Sequence, residues 1–143
     1  MNAVVRILDE FNDRILNDAE KIYREASWIA EDENGDFLLP AFQGSAAVAG
    51  AFDTSGNLVG IARALSDGAS DAYIQDVAVT SSMRGKKIGS RLIKVLYDNL
   101  KARGVEWIAL VGEPGTEKFY ASLGLEAKPG YTLWKFGDFS LKG

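Results

Sequence analysis

The sequence predicts one α/β (α+β) domain, residues 1–143, built on a mixed, mostly antiparallel central sheet flanked by helices. Two patterns carry that expectation. Three extended apolar segments, residues 46–52, 58–65 and 72–79, are separated by the short glycine-bearing linkers 53–57 and 66–70, the punctuation of an antiparallel meander. Then Ile88, Leu92, Val95, Leu96 and Leu100 recur at helical spacing, and residues 107–111 form an apolar run of strand length. Because a helix joins that run to the strand before it, the two should lie parallel.

The remaining elements follow from the same rules. Phe11, Ile15, Ala19, Ile22, Tyr23 and Ala26 mark one stripe of an amphipathic helix between Glu10 and Trp28. Residues 31–40 carry Glu31, Asp32, Glu33 and Asp36 around Asn34-Gly35 and predict a loop, with a short helix near Leu38. Lys101 and Arg103 complement the negative end of the helix that starts at Ile88, and Gly104 stops it. Thr116 offers a cap to a helix over 117–123, Gly124 ends it, and a last strand is expected around residues 132–136.

Composition removes several chemistries. The 143 residues include neither Cys nor His. A thiol nucleophile, a Ser-His-Asp hydrolase and a disulfide are therefore excluded, and zinc would have only carboxylates to bind, so no metal is expected. A net charge of −4 disfavours nucleic acid as a partner, since that binding needs a clustered positive face. No apolar run approaches the ~20 residues of a membrane span, and acids stand near the start where a signal peptide would be apolar. The expectation is a cytoplasmic protein, free of the membrane, that acts on a small partner and leaves a homodimer open.

Against that acidic background, Arg84, Lys86, Lys87, Arg91 and Lys94 gather five cations in eleven residues where the third strand turns into the strong helix. Gly85 and Gly89 permit close backbone approach there, and a helix N-terminus offers free N–H groups and a positive dipole end. A diphosphate fits such a turn; a solvated helix start is the plainer alternative. Neither the dinucleotide fingerprint nor the Walker loop is present.

The turn Arg84-Gly85-Lys86-Lys87-Ile88-Gly89 resembles the Q/R-x-x-G-x-G/A signature of the GNAT N-acetyltransferases, with Lys87 in the place of the middle glycine. Phe119-Tyr120-Ala121-Ser122-Leu123-Gly124-Leu125 is similar to that family's F-Y-x-x-x-G-F segment, with Leu125 for the final aromatic. The resemblance implies that the sheet splays between the strands 72–79 and 107–111 to admit acetyl-coenzyme A. It implies that Val77, Ala78 and Val79 pair with the pantetheine arm, and that Arg84, Gly85, Lys86, Lys87, Ile88, Gly89 and Ser90 hold the diphosphate.

Amide formation from a thioester requires a neutral amine and an acid for the departing thiolate. Tyr120 is the candidate acid, since family members carry a Tyr at that motif position; packing beside Phe119 is the alternative. Asp76 interrupts an otherwise apolar strand, where a carboxylate is costly unless paired or used. The strand resembles Glu-Asp-Ile-Ala-Val of glucosamine-phosphate acetyltransferases with Gln75 in the Glu place, so a Glu base is not carried over. Asp76 either orients water, binds the amine, or forms a salt bridge with Arg63. Gln75, Arg63 and Trp28 are the candidate acceptor contacts, Phe42 could add an apolar wall, and the acids of 31–36 could attract a cation. The expected reaction is acetyl transfer to a small-molecule amine in a ternary complex. A non-catalytic acyl-coenzyme A sensor and a protein N-acetyltransferase are the alternatives.

Overall fold

A computed structural model describes residues 3–141. They fall into a larger unit that runs to Leu110 and a smaller one that begins at Val111. The larger unit holds a five-stranded sheet in chain order: β1 (Val4–Ile7), β2 (Ala47–Phe52), β3 (Leu58–Ser66), β4 (Asp71–Val79) and β5 (Trp107–Leu110). The first four strands pair antiparallel, and β5 joins β4 in parallel. This is the mixed, mostly antiparallel sheet predicted, although its five strands are not the five expected: β1 is gained and the strand expected at residues 132–136 does not form. β1 was not foreseen: its four residues alternate only weakly between exposed and half-buried, and it exists by pairing with β2.

Two helical layers cover the sheet. On one face, α1 (Asp13–Glu25) and α2 (Leu38–Gln43) close a core in which Ile15, Ala19, Ile22 and Tyr23 meet Leu38, Phe42, Val48 and Ile61. Asn12 starts α1 by accepting the Ile15 N–H at 2.9 Å, and Ser27, at φ 66°, ends its trajectory. On the other face lies α3 (Ile88–Ala102), whose Ile88, Leu92, Ile93, Leu96 and Leu100 are buried. Gly60 makes that approach close, because a Cβ there would meet Ile88 and Leu92 at 3.1 Å. Among the described residues no helix is long and apolar enough to cross a membrane.

The smaller unit contains α4 (Glu117–Ser122) and little other regular structure. Thr116 stands at its N-cap position, but its hydroxyl donates to the Glu113 carbonyl and caps no N–H, contrary to expectation. Gly124 does end the helix with φ 85°. The strand expected at residues 132–136 is absent. Its pattern is strand-like, yet no ladder partner takes up its backbone, and Leu133 and Trp134 are 71% and 84% exposed. Period-two patterning specifies a strand only where a neighbour completes it.

Leu92→Ala should cost about 2–5 kcal/mol of unfolding free energy, since Leu92 is fully buried between α3 and the sheet. Urea denaturation monitored by tryptophan fluorescence checks this, and a loss under 1 kcal/mol would contradict the packing described.

Candidate functional site

β4 is nine residues long, but β5 pairs only with Asp71, Ala72, Tyr73 and Ile74. Beyond Ile74 the sheet opens, as the expected splay between these two strands requires. Residues 75–79 therefore present an edge of backbone N–H and C=O groups that no described strand covers. Such an edge is a template for any extended chain carrying amides. Gln75 is exposed there, while Val77, Ala78 and Val79 are half-buried.

From Val79 the chain enters the basic turn. Thr80 is tied to β3 by its N–H to the Val59 carbonyl at 2.9 Å, a single 3₁₀ turn spans Ser81–Met83, and α3 begins at Ile88. Gly85 takes φ 77°, and a Cβ there would meet nothing within 4 Å. Lys87 takes φ 62°, so a lysine stands where the left-handed backbone would favour glycine. The Ser90 hydroxyl donates to the Lys87 carbonyl at 2.9 Å and stiffens the turn from inside α3.

The five clustered cations do not act together. Arg91 donates to the Ala3 carbonyl at 2.8 Å, and Lys94 pairs with Asp98 at 2.7 Å along the helix. Arg84 bonds the Val79 carbonyl at 3.1 Å and lies 3.5 Å from the Glu25 carboxylate, which also accepts the Ser81 N–H. Lys86 and Lys87 remain at the mouth of the turn, exposed. Ile88, grouped with the coenzyme contacts in the sequence, buries its side chain in the core, so only its backbone faces the helix N-terminus.

Asp76 occupies a bulge. Ile61 pairs with Ala78 and Arg63 with Gln75, so β4 carries one residue more than β3 across this step. Asp76 absorbs it at φ 56°, one of the few side chains that tolerates that conformation. Its Oδ2 accepts from Arg63 Nε at 2.7 Å and from the Tyr23 hydroxyl at 2.8 Å. The salt bridge weighed as the alternative for Asp76 is thus formed, with side-chain exposures of 17% for Arg63 and 25% for Asp76. Burial alone would lower the Arg63 pKa, but the hydrogen bond and charge of Asp76 hold it above its usual value. Burial, then the adjacent Asp76 charge, push the Tyr23 phenol far above its ordinary range.

Tyr23 was placed in the buried stripe of α1 by its spacing, and nothing there marked it as polar-bonded. The only signal was a phenol in a stripe otherwise made of Phe, Ile and Ala. Trp28 packs edge-on against Tyr23 at 5.3 Å and is half-buried. Phe42, by contrast, is 1% exposed and belongs wholly to the core, so it supplies no open wall. The acidic loop is held to α1 by Arg24, which donates to the Ala30 and Glu33 carbonyls.

In the smaller unit, Tyr120 packs edge-on to Phe119 at 5.0 Å and lies close over Gly112. It is half-buried, and burial, followed by the charge of Glu113, raises its phenol pKa. Among the described residues no group of His, Cys, Asp and Glu is arranged to hold a metal ion.

A mixed sheet that opens beside a basic, glycine-bearing helix start defines the class that the sequence resemblance implied. The Acetyltransferase (GNAT) family profile matches residues 2–125, and the chain belongs to that family. Serotonin N-acetyltransferase 2, chloroplastic, from Oryza sativa subsp. japonica is 37% identical over 79 residues, 55% of this chain and 40% of its own length. A GNAT family acetyltransferase from Streptococcus pneumoniae is 27% identical with a TM-score of 0.72, over 94% of this chain and 100% of its own. An aminoglycoside 6'-N-acetyltransferase solved with coenzyme A shares the fold at 19% identity and a TM-score of 0.71, over 85% and 83% of the two chains. The chain spans well under half of the rice protein's length.

Lys87→Gly should leave stability unchanged or raise it by up to about 1 kcal/mol, because relief of the left-handed strain outweighs the glycine entropy. Lys87→Val should lower it by about 1 kcal/mol or more, since a β-branched side chain tolerates that backbone poorly. Thermal melts of the pair test the sign, and equal melting temperatures would contradict the strained turn.

Proposed function

We propose that this chain transfers the acetyl group of acetyl-coenzyme A to the amine of a small molecule by direct attack. The observation that carries the reading is the open edge of β4 at residues 75–79, followed through one 3₁₀ turn by the basic turn and the N-terminus of α3. An arm with amides at one end and a diphosphate at the other matches that sequence of groups. Val77, Ala78 and Val79 would pair with the amides. The N–H groups of residues 85–90, with Arg84, Lys86 and Lys87, would meet the phosphates.

Acetyl transfer forms one C–N bond and breaks one C–S bond. The amine must shed a proton, because an alkyl ammonium of pKa ~10.4 leaves only about one molecule in a thousand neutral at pH 7. Asp76 lies on the same strand as the open edge and is proposed to receive the amine or the water that deprotonates it. Gln75 adjoins Asp76 in sequence, Arg63 bonds it, and Trp28 packs on the Tyr23 ring whose hydroxyl bonds it; all three are proposed to shape the acceptor side. Tyr120 is proposed to protonate the departing thiolate, and no Cys is present to form an acetyl-enzyme. The serotonin activity named for the rice relative supports a small amine as acceptor.

Acetyl-coenzyme A at ~100 times its dissociation constant should stabilise the fold by ~2.7 kcal/mol. A panel of serotonin, spermidine, kanamycin and a lysine-bearing peptide, read by thiol release, then tests transfer. Binding without thiol release would favour the acyl-coenzyme A sensor, and indifference of the melt to millimolar coenzyme would remove the reading. Release with the peptide alone would favour a protein acceptor.

Tyr120→Phe keeps the ring and deletes the hydroxyl. It should lower the rate of the chemical step by 10²–10⁴-fold with little change in melting temperature or coenzyme affinity. The deficit should shrink with a thioester whose thiol is more acidic. Single-turnover measurement at the wild-type rate would assign the proton to water or another donor.

A further inference from the structure

We propose that Tyr23 is a positioning residue for acyl transfer, its hydroxyl acting with Arg63 to fix the Asp76 carboxylate at the bulge of β4. This rests on the reading of Asp76 as the acceptor-side carboxylate and extends it to a residue of α1.

Packing does not account for the Tyr23 hydroxyl. The ring is 2% exposed and meets Trp28, Phe37 and Phe42 at centroid distances of 5.3, 6.2 and 6.2 Å, contacts that phenylalanine would make equally well. A hydroxyl carried into such a cluster is unfavourable unless it finds a partner, and its partner is Asp76 Oδ2 at 2.8 Å. The same oxygen takes the Arg63 Nε–H at 2.7 Å. Two donors from two different elements, α1 and β3, converge on one atom of β4 and fix both the place and the tilt of the carboxylate.

Stability does not account for the arrangement either. A partly buried ion pair gains little over apolar groups of the same volume. Here it is joined to a non-glycine residue in the left-handed region and to a buried phenol. Strained residues persist where surrounding contacts over-determine them, and such points concentrate at working sites. Tyr23 also links the carboxylate to α1 and through Trp28 to the end of that helix, so an element outside the sheet shares in holding the acceptor side.

The test uses the full chain as wild type, Tyr23→Phe, Asp76→Asn and the double variant. Amide exchange at residues 76–78, followed by NMR, needs no acceptor. Tyr23→Phe should speed it about tenfold or more while the amides of α1 keep their protection, and Asp76→Asn, which leaves the core untouched, should do the same. With the amine of the panel that wild type acetylates fastest, Tyr23→Phe should lower kcat/KM for the amine about 10–100-fold and leave the KM of acetyl-coenzyme A in place. The double variant should be no slower than Asp76→Asn, because Tyr23 acts through that carboxylate. Unchanged exchange at the bulge in a folded Tyr23→Phe protein, or losses that multiply in the double variant, would overturn the proposal. Wild-type turnover by Asp76→Asn would instead fail the acceptor reading on which it rests. A slow Asp76→Asn beside a fast Tyr23→Phe would remove Tyr23 alone.

Discussion

The constraint on which the rest depends is a mismatch of strand lengths. β4 extends over nine residues and its parallel partner over four, so the sheet has to end its ladder at Ile74 and leave the second half of β4 uncovered. An uncovered edge in the middle of a mixed sheet is normally a liability, open to pairing with any extended chain. Here the edge is short, it is bent by a bulge and it runs straight into a charged turn. Each of these limits which chains can pair with it, and each sits where a ligand with amides and phosphates would need it.

The bend at the start of that edge and the one at the end of the turn that follows it have a common physical form. Asp76 and Lys87 are both non-glycine residues with positive φ, separated by the open strand and the turn. Such a backbone costs about 1–2 kcal/mol per residue, so something must hold it. Asp76 is held by its side chain, through Arg63 and Tyr23. Lys87 is held by its backbone, through the Ser90 hydroxyl on its carbonyl and the start of α3 behind it. Gly85, the other sharp point of the turn, needs no such support because nothing crowds it and it has no Cβ to strain.

What was legible in the sequence follows from this division. The meander, α1, α3 and the parallel strand were readable because periodicity and turn chemistry are local. α1 proved shorter than its apolar stripe, since Asn12 and Ser27 set its ends: Phe11 precedes the first, and Ala26 is the C-cap just before the second. β1 and the absent strand at 132–136 mark the limit: one has a poor pattern and a partner, the other a good pattern and none. The basic turn was legible as a cluster, but not that Arg91 and Lys94 would be committed to Ala3 and Asp98. The pairing of Asp76 with Arg63 was foreseen as one alternative from neighbouring strands. Its third member was not, because Tyr23 lies 53 residues away in sequence and only the packing of α1 on the sheet brings it there.

The pairing of Asp76 with Arg63 bears on the chemistry in a way that opposes neither reading of that residue. An isolated carboxylate beside an incoming amine would stabilise its ammonium form, and the ammonium cannot attack a thioester. A carboxylate whose charge is largely matched by a guanidinium still offers hydrogen-bond acceptance, but with a much smaller field to hold the proton on the amine. The salt bridge and the proposed role in receiving the acceptor are therefore compatible. The donor side has the opposite demand, since phosphates carry fixed charge and gain from an uncompensated cation. Lys86 and Lys87 stand exposed at the turn, while the charge at Asp76 is balanced. One strand thus presents a positive field at its end and a nearly neutral hydrogen-bonding group at its bulge, the two environments that an anionic thioester and a neutral amine respectively require.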